Sequence, residues 1–150
     1  YYIMEIKIKR LHENAIIPKY ATIGSAGFDF HSVDDIIIYP GETALVKTGL
    51  SFEIPINYEL QVRPRSGMSL KTKLRVSNSP GTVDSDYRGE ICIIMDNIDI
   101  KSNHRIPYEI KKGDRIAQGV ICPIIQVTFE EVNKLNETER NTGAFGSTGN

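Results

Sequence analysis

The feature that most constrains this chain is the branching of its apolar side chains. Ile and Val together supply 30 residues, Leu and Ala only 13. Branching at Cβ stiffens χ1 against the preceding turn of a helix but packs well on a pleated surface. The 12 Gly and 7 Pro are spread so evenly along the chain that little uninterrupted length is left for helix propagation. An all-β fold of short strands joined by turns follows, with one short helix. Glu5 to Lys9 and Glu59 to Arg63 alternate apolar with polar residues, which predicts strands that bury one face each. Ile91 to Met95 and Val120 to Ile125 are continuous apolar runs, which predict strands buried on both faces, as in the middle of a sandwich or barrel. Tyr39-Pro40-Gly41-Glu42 and Ser79-Pro80-Gly81-Thr82 predict turns, because Pro presets φ and Gly accepts positive φ. The helix is expected over Ser66 to Leu74, with Ser66 as N-cap hydroxyl and Met68, Leu70 and Leu74 as its apolar side.

The 150 residues suit one compact domain. With 18 basic against 19 acidic side chains and a net charge of -1, the chain lacks the basic surplus of a duplex nucleic-acid binder. Any anionic ligand must therefore be held by a local cluster. No apolar run approaches the roughly 20 residues of a bilayer-spanning helix, and the N-terminal stretch lacks a signal-peptide layout. A cytoplasmic or nuclear protein with no membrane partner is expected. Cys92 and Cys122 lie in apolar stretches, not in a CxxC pattern, and read as buried free thiols. His12, His31 and His104 are too far apart to suggest a zinc site. Residues 1–139 read as the β domain. Residues 140–150 form a Gly/Ser/Thr-rich arm with one aromatic, either a frayed end or a lid that orders on a ligand.

Five clusters carry more than packing needs. In Ser25-Ala26-Gly27-Phe28-Asp29-Phe30 a carboxylate stands between two aromatics just after a turn. Arg63-Pro64-Arg65-Ser66-Gly67 places cations and a hydroxyl where the helix starts, a combination suited to phosphate, although a capped helix beside a surface Arg would look the same. The stretch from Asn78 to Glu90 sets Asp84, Asp86, Tyr87, Arg88 and Glu90 between a Pro-Gly turn and the most apolar strand. A carboxylate at a strand end can act as a base if water reaches it. Asp84 and Asp86 both qualify, and on a strand they would share a face. A solvated turn with an ion pair through Arg88 is the plainer reading. Lys112-Gly113-Asp114-Arg115-Ile116-Ala117-Gln118 reads as a turn feeding the strand at Val120, with the Gln118 amide able to donate to an oxyanion. The tail from Arg140 to Gly149 could close an Arg, hydroxyls and glycine backbone over a polyphosphate, with Phe145 as a stacking face. It is neither a Walker A loop nor a dinucleotide fingerprint.

These five segments, in this order and spacing, resemble the five motifs of the trimeric dUTP diphosphatases (dUTPases), from about Gly24 to Gly149. The resemblance implies a jelly-roll-like β fold and a homotrimer whose active sites lie between subunits, each lending its C-terminal arm to another. It also implies Mg²⁺-dependent hydrolysis of dUTP to dUMP and diphosphate, lowering dUTP and supplying dUMP for thymidylate synthesis. In the same way Asp84 would be the general base, Asp29 would stand near the metal through coordinated water, and Tyr87 would lie against the deoxyribose. Asn78, Gly81, Thr82 and Val83 would read the uracil edge. Arg65, Ser66, Gly67 and Gln118 would hold phosphates; Arg140, Gly146, Ser147 and Thr148 would close on the γ end, and Phe145 would cover the base. Hard oxygen donors and phosphates suit Mg²⁺.

Several positions depart from the family pattern. Met68, Val83 and Phe30 stand where Leu, Ile and Leu are commoner, and these are conservative swaps. Asn141 and Ala144 replace glycines of the arm; where positive φ is needed, Asn tolerates it better than Ala. Three other classes are compatible with parts of the pattern: a dCTP deaminase, which would be expected to carry a Trp that this chain lacks; a dUTPase-like regulatory binding module with weak or no activity; and a plain structural jelly roll.

Overall fold

The computed structural model describes residues 3–99 and 106–146, so His104, Ser147 and Thr148 lie outside the described residues. Eleven strands and one helix are found among those residues: β1 (Lys7–Arg10), β2 (Phe28–His31), β3 (Ile36–Ile38), β4 (Thr43–Lys47), β5 (Leu50–Glu53), β6 (Tyr58–Arg63), α1 (Ser66–Lys71), β7 (Leu74–Val76), β8 (Gly81–Val83), β9 (Cys92–Asn97), β10 (Tyr108–Ile110) and β11 (Arg115–Pro123). The all-β expectation holds. The strands form a four-stranded sheet in the order β2-β11-β6-β8, a three-stranded sheet β4-β9-β7, and the pairs β1-β5 and β10-β3. Every pairing is antiparallel, and among the described residues no two paired strands are consecutive in the chain, so partners are reached by crossovers and not by hairpin turns.

One apolar core joins the sheets. Phe30 of β2, Leu60 and Val62 of β6, Val46 of β4, Ile93 and Met95 of β9 and Leu74 of β7 belong to a single buried cluster. Phe28, Phe30 and Phe52 meet at centroid separations of 5.5, 6.1 and 6.3 Å, within the range of favourable aromatic packing. β11 runs directly over these rings. A Cβ on Gly119 would stand 2.5 Å from the Phe28 ring, so the strand can lie this close only where it carries no side chain.

Local expectations meet mixed outcomes. β6 alternates as its pattern requires, with Leu60 and Val62 buried. The Tyr39–Glu42 turn has Gly41 at φ +82° and an N–H of Glu42 donating to the Tyr39 carbonyl at 3.0 Å. The Pro-Gly turn at Ser79 to Thr82 differs. Gly81 has no positive φ; it opens β8, and its bare Cα lets Val62 and the Asn78 amide approach. The two apolar runs are not buried on both faces. β9 alternates, Ile93 and Met95 inward, Cys92 and Ile94 half-buried over a groove. β11 ends at Pro123, and Ile125 beyond it is 90 % exposed. Both cysteines are free but half-buried. The helix is shorter than expected, ending at Lys71; Arg65 is its N-cap with no side-chain cap bond, Leu70 is exposed, and Leu74 belongs to β7.

Candidate active site

The first group of site residues gathers around Asp29 on β2. The Arg65 guanidinium donates through Nε to Asp29 Oδ1 at 2.8 Å, and Arg115 reaches Oδ2 through Nη1 at 3.4 Å. Cross-strand register explains the meeting: Asp29 lies opposite Gln118, and Gln118 opposite Arg63, two residues before Arg65. Gln118 is turned to a local task, donating through Nε2 to the Pro64 carbonyl at 2.9 Å. It thereby anchors the loop that carries Arg65, Ser66 and Gly67. Arg65, Gly67, Lys71, Asp114 and Arg115 line one open groove of about 420 Å³. The Lys112–Gln118 turn forms as expected around Gly113 at φ +88°, but the strand it feeds begins at Arg115 and not at Val120. His31, two residues along β2, keeps a buried Nδ1 without a partner. Burial pushes its pKa below the ordinary value, with the Asp29 carboxylate opposing and the Arg115 and Arg65 cations adding to the fall.

The second group follows β8. This strand is an edge of the four-stranded sheet, paired only to β6 through Gly81, Thr82 and Val83, so its outer backbone N–H and C=O groups face away from the sheet. Asn78, in the connection from β7, is exposed and holds its amide close to Gly81. β8 stops at Val83, so Asp84 and Asp86 sit in a turn, closed by the Tyr87 N–H on the Asp84 carbonyl at 3.2 Å, and do not share a strand face. The two carboxylates differ in surroundings. Asp84 lines a groove of about 340 Å³ with Thr82, Val83 and Tyr87 over an apolar floor that includes Leu45 and Ile94; Asp86 does not. Arg88 makes no ion pair among the described residues: its Nη1 donates to the Ser85 and Tyr87 carbonyls at 2.7 and 3.1 Å. It stiffens the turn and leaves Asp84 without a neutralising partner. The Tyr87 ring lies over Gly89, where a Cβ would come within 2.3 Å of its hydroxyl, and that hydroxyl donates to the Glu90 carbonyl at 3.0 Å. Cys92 borders this groove, but burial and Glu90 push its thiol pKa up against the pull of Lys47, so it is no ready nucleophile.

No hydrogen bond or ion pair among the described residues links the Asp29 group to the Asp84 group, and the two grooves share no lining residue. Residues 140–146 of the arm line neither groove. Arg140 donates through Nε to the Gly143 carbonyl at 2.9 Å, and Phe145 is fully exposed. Asn141, Phe145 and Gly146 take positive φ, Ala144 does not, so the first of the two replaced glycines does fall where a left-handed residue is needed and Asn can supply it. Sequence reasoning did not single out Arg115 or Lys71. Arg115 was visible as a cation within the fourth cluster, but its facing depends on strand geometry; nothing in the pattern around Lys71 marks it.

Similarity to known proteins converges on one family. A family model described as dUTPase matches residues 13–149. The chain is 53% identical over 146 residues to the deoxyuridine 5'-triphosphate nucleotidohydrolase of Nautilia profundicola, covering 97% of this chain and 99% of that protein. It is 49% identical over 146 residues to the protein of the same name from Helicobacter pylori strain 26695, covering 97% of each. Among solved structures, a mutant dUTPase of Staphylococcus bacteriophage 80alpha with dUpNHpp superposes with a TM-score of 0.87 at 31% identity, over 97% of this chain and 98% of that one. A mutant dUTPase of phage phi11 of S. aureus, described with a structural Mg(II) ion, gives a TM-score of 0.83 at 29% identity, over 89% of this chain and 100% of that one. This chain belongs to the dUTPase family.

Proposed function

We propose that this protein hydrolyses dUTP to dUMP and diphosphate, with Asp84 as the general base that deprotonates the attacking water at the α-phosphorus. The observation that carries the reading is the placement of Asp84: exposed, unpaired among the described residues, and set beside the free backbone edge of β8 and the fixed Tyr87 ring. A pyrimidine seated on that edge would meet backbone donors and acceptors together with the Asn78 amide. Amide-edge pairing of that kind rejects an amine where a carbonyl is needed, because a mismatched buried polar group is left unpaired. Tyr87 against the deoxyribose would leave no room for a 2′-hydroxyl. At the other end Arg65, with Ser66 and Gly67, would hold phosphates, while Gln118 keeps their loop in place through the Pro64 carbonyl.

The residues present fit a magnesium ion that arrives on the triphosphate. Among the described residues no three His, Cys, Asp or Glu side chains stand together as a cage, whereas Asp29 holds one carboxylate between Arg65 and Arg115, the two arginines that line the groove. Phosphate oxygens would supply most ligands and Asp29 would act through coordinated water, as a strongly hydrated ion prefers. When bound, the ion would neutralise charge on the reacting phosphates. The arm, residues 140–150, would close the site, with Arg140, Gly146, Ser147 and Thr148 on the γ end and Phe145 over the base.

A homotrimer with shared sites completes the reading. Its supports are the separation of the two residue groups within one chain and the uncovered apolar side chains after β11, with Ile125, Phe129 and Leu135 at 90, 95 and 80 % exposure. One experiment tests base and sharing together. Asp84→Asn and Arg65→Ala should each lower dUTP hydrolysis by about 10² to 10⁴ while the fold persists. Co-expressed in one assembly, they should recover about a quarter of the sites, those that draw an intact half from each subunit. Full activity of Asp84→Asn would remove the base assignment, and no recovery on mixing would place each site within one chain.

A further inference from the structure

We propose that Arg115 is a further phosphate-binding residue of this site, delivered to it by a β-bulge in β11. The inference rests on the dUTP reading above and extends its phosphate end. The pairing of β11 with β2 slips between Arg115 and Ala117: Arg115 lies opposite His31, Ala117 opposite Phe30 and Gln118 opposite Asp29. Ile116 is the extra residue. It and Ala117 are both fully buried although adjacent, as an inserted residue explains on a strand whose other side chains alternate between faces. On an unbulged strand Arg115 and Gln118, three residues apart, would project to opposite faces. The bulge brings both to the side of Asp29. Bulges re-aim side chains in this way beside functional sites.

The guanidinium so delivered is only lightly used. Its one hydrogen bond to Asp29 is long, 3.4 Å, its side chain is 58% exposed, and it borders the same groove as Arg65 and Gly67. Arg65, by contrast, spends Nε on Asp29 at 2.8 Å and is 26% exposed. The Arg115 backbone carbonyl also accepts from Arg65 Nη1 at 3.5 Å, so the two cations are held side by side. Among the described residues Asp29 alone bonds to both arginines, and Asp114 in the same groove accepts from the Lys111 N–H. The remaining donors of Arg115 have no partner among the described residues, and a planar fork of this kind suits phosphate.

Calorimetric affinities of the intact protein for dUMP and for the α,β-imido analogue of dUTP, both with Mg²⁺, test the assignment. Arg115→Ala should weaken the imido analogue about tenfold or more and leave dUMP within about twofold, because a contact beyond the first phosphate is lost. Arg115→Lys should recover part of the loss. The cost should persist in an Asp29→Ala background, where a residue that merely holds the Asp29 side chain has nothing left to hold. Unchanged affinity for the analogue, equal losses for dUMP and the analogue, or a cost that vanishes with Asp29→Ala would each overturn the proposal. A parent protein that does not hydrolyse dUTP would overturn the functional reading and this inference with it; a parent that hydrolyses dUTP, with an indifferent Arg115, would overturn this inference alone.

Discussion

At the scale of single residues, several candidate side chains are held in place by their neighbours. Gln118 holds the Arg65 loop, Arg88 braces the Asp84 turn and Gly89 makes room for Tyr87. His31 shows a cost of this crowding. Its pKa lies below the ordinary value chiefly through burial, so the unfolded chain takes up a proton near pH 6.5 that the folded chain resists. The folded state therefore binds fewer protons in that window. The His31 contribution to stability is level above about pH 6.5 and falls as pH drops below it toward the lowered value. Urea midpoints at pH 7.5 and 5.5 should show this decline, and His31→Gln should flatten part of it; an unchanged slope in the variant would assign the decline to other groups. Residue types were legible at nearly every candidate position. Their orientation was not, because Arg115 faces Asp29 only through the Ile116 bulge, and two adjacent apolar residues give no sign of one.

At the scale of elements, legibility followed the number of buried faces. The one-sided pattern of β6 was readable because water marks its polar positions. β9 and the end of β11 were not, since an apolar side chain over an open groove looks the same in sequence as one in a core. Cys92, Ile94 and Ile125 are of that kind. The helix was overextended because Leu74 fits a helical stripe equally well as the first residue of β7. The arm is the element whose role is most separable from the fold. Its Arg140 bonds only within the arm among the described residues, and Phe145 touches no core. Deleting residues 140–150 should leave the thermal midpoint unchanged and lower kcat/KM for dUTP by about 10², the contribution of a closing lid. A protein that keeps full kcat/KM without the arm would show that closure over the site is not its task.

At the scale of the whole molecule, the fold divides the labour of the site. One sheet edge, β8, leaves its outer backbone unpaired within the sheet and ends at the Asp84 carboxylate. The opposite side of the same sheet, through β2 and β11, collects arginines around Asp29. A triphosphate nucleotide needs both kinds of surface, and a single chain keeps them in separate grooves; the proposed trimer would bring one of each together. The family found by comparison is the one that the motifs implied. The central claim is selective hydrolysis of dUTP, and it is tested most directly by diphosphate release from dUTP, dTTP, dCTP and UTP measured side by side with Mg²⁺ and again with EDTA. The account predicts release from dUTP alone, abolished by EDTA. Comparable release from UTP or dTTP, or none from dUTP by the folded protein, would contradict it.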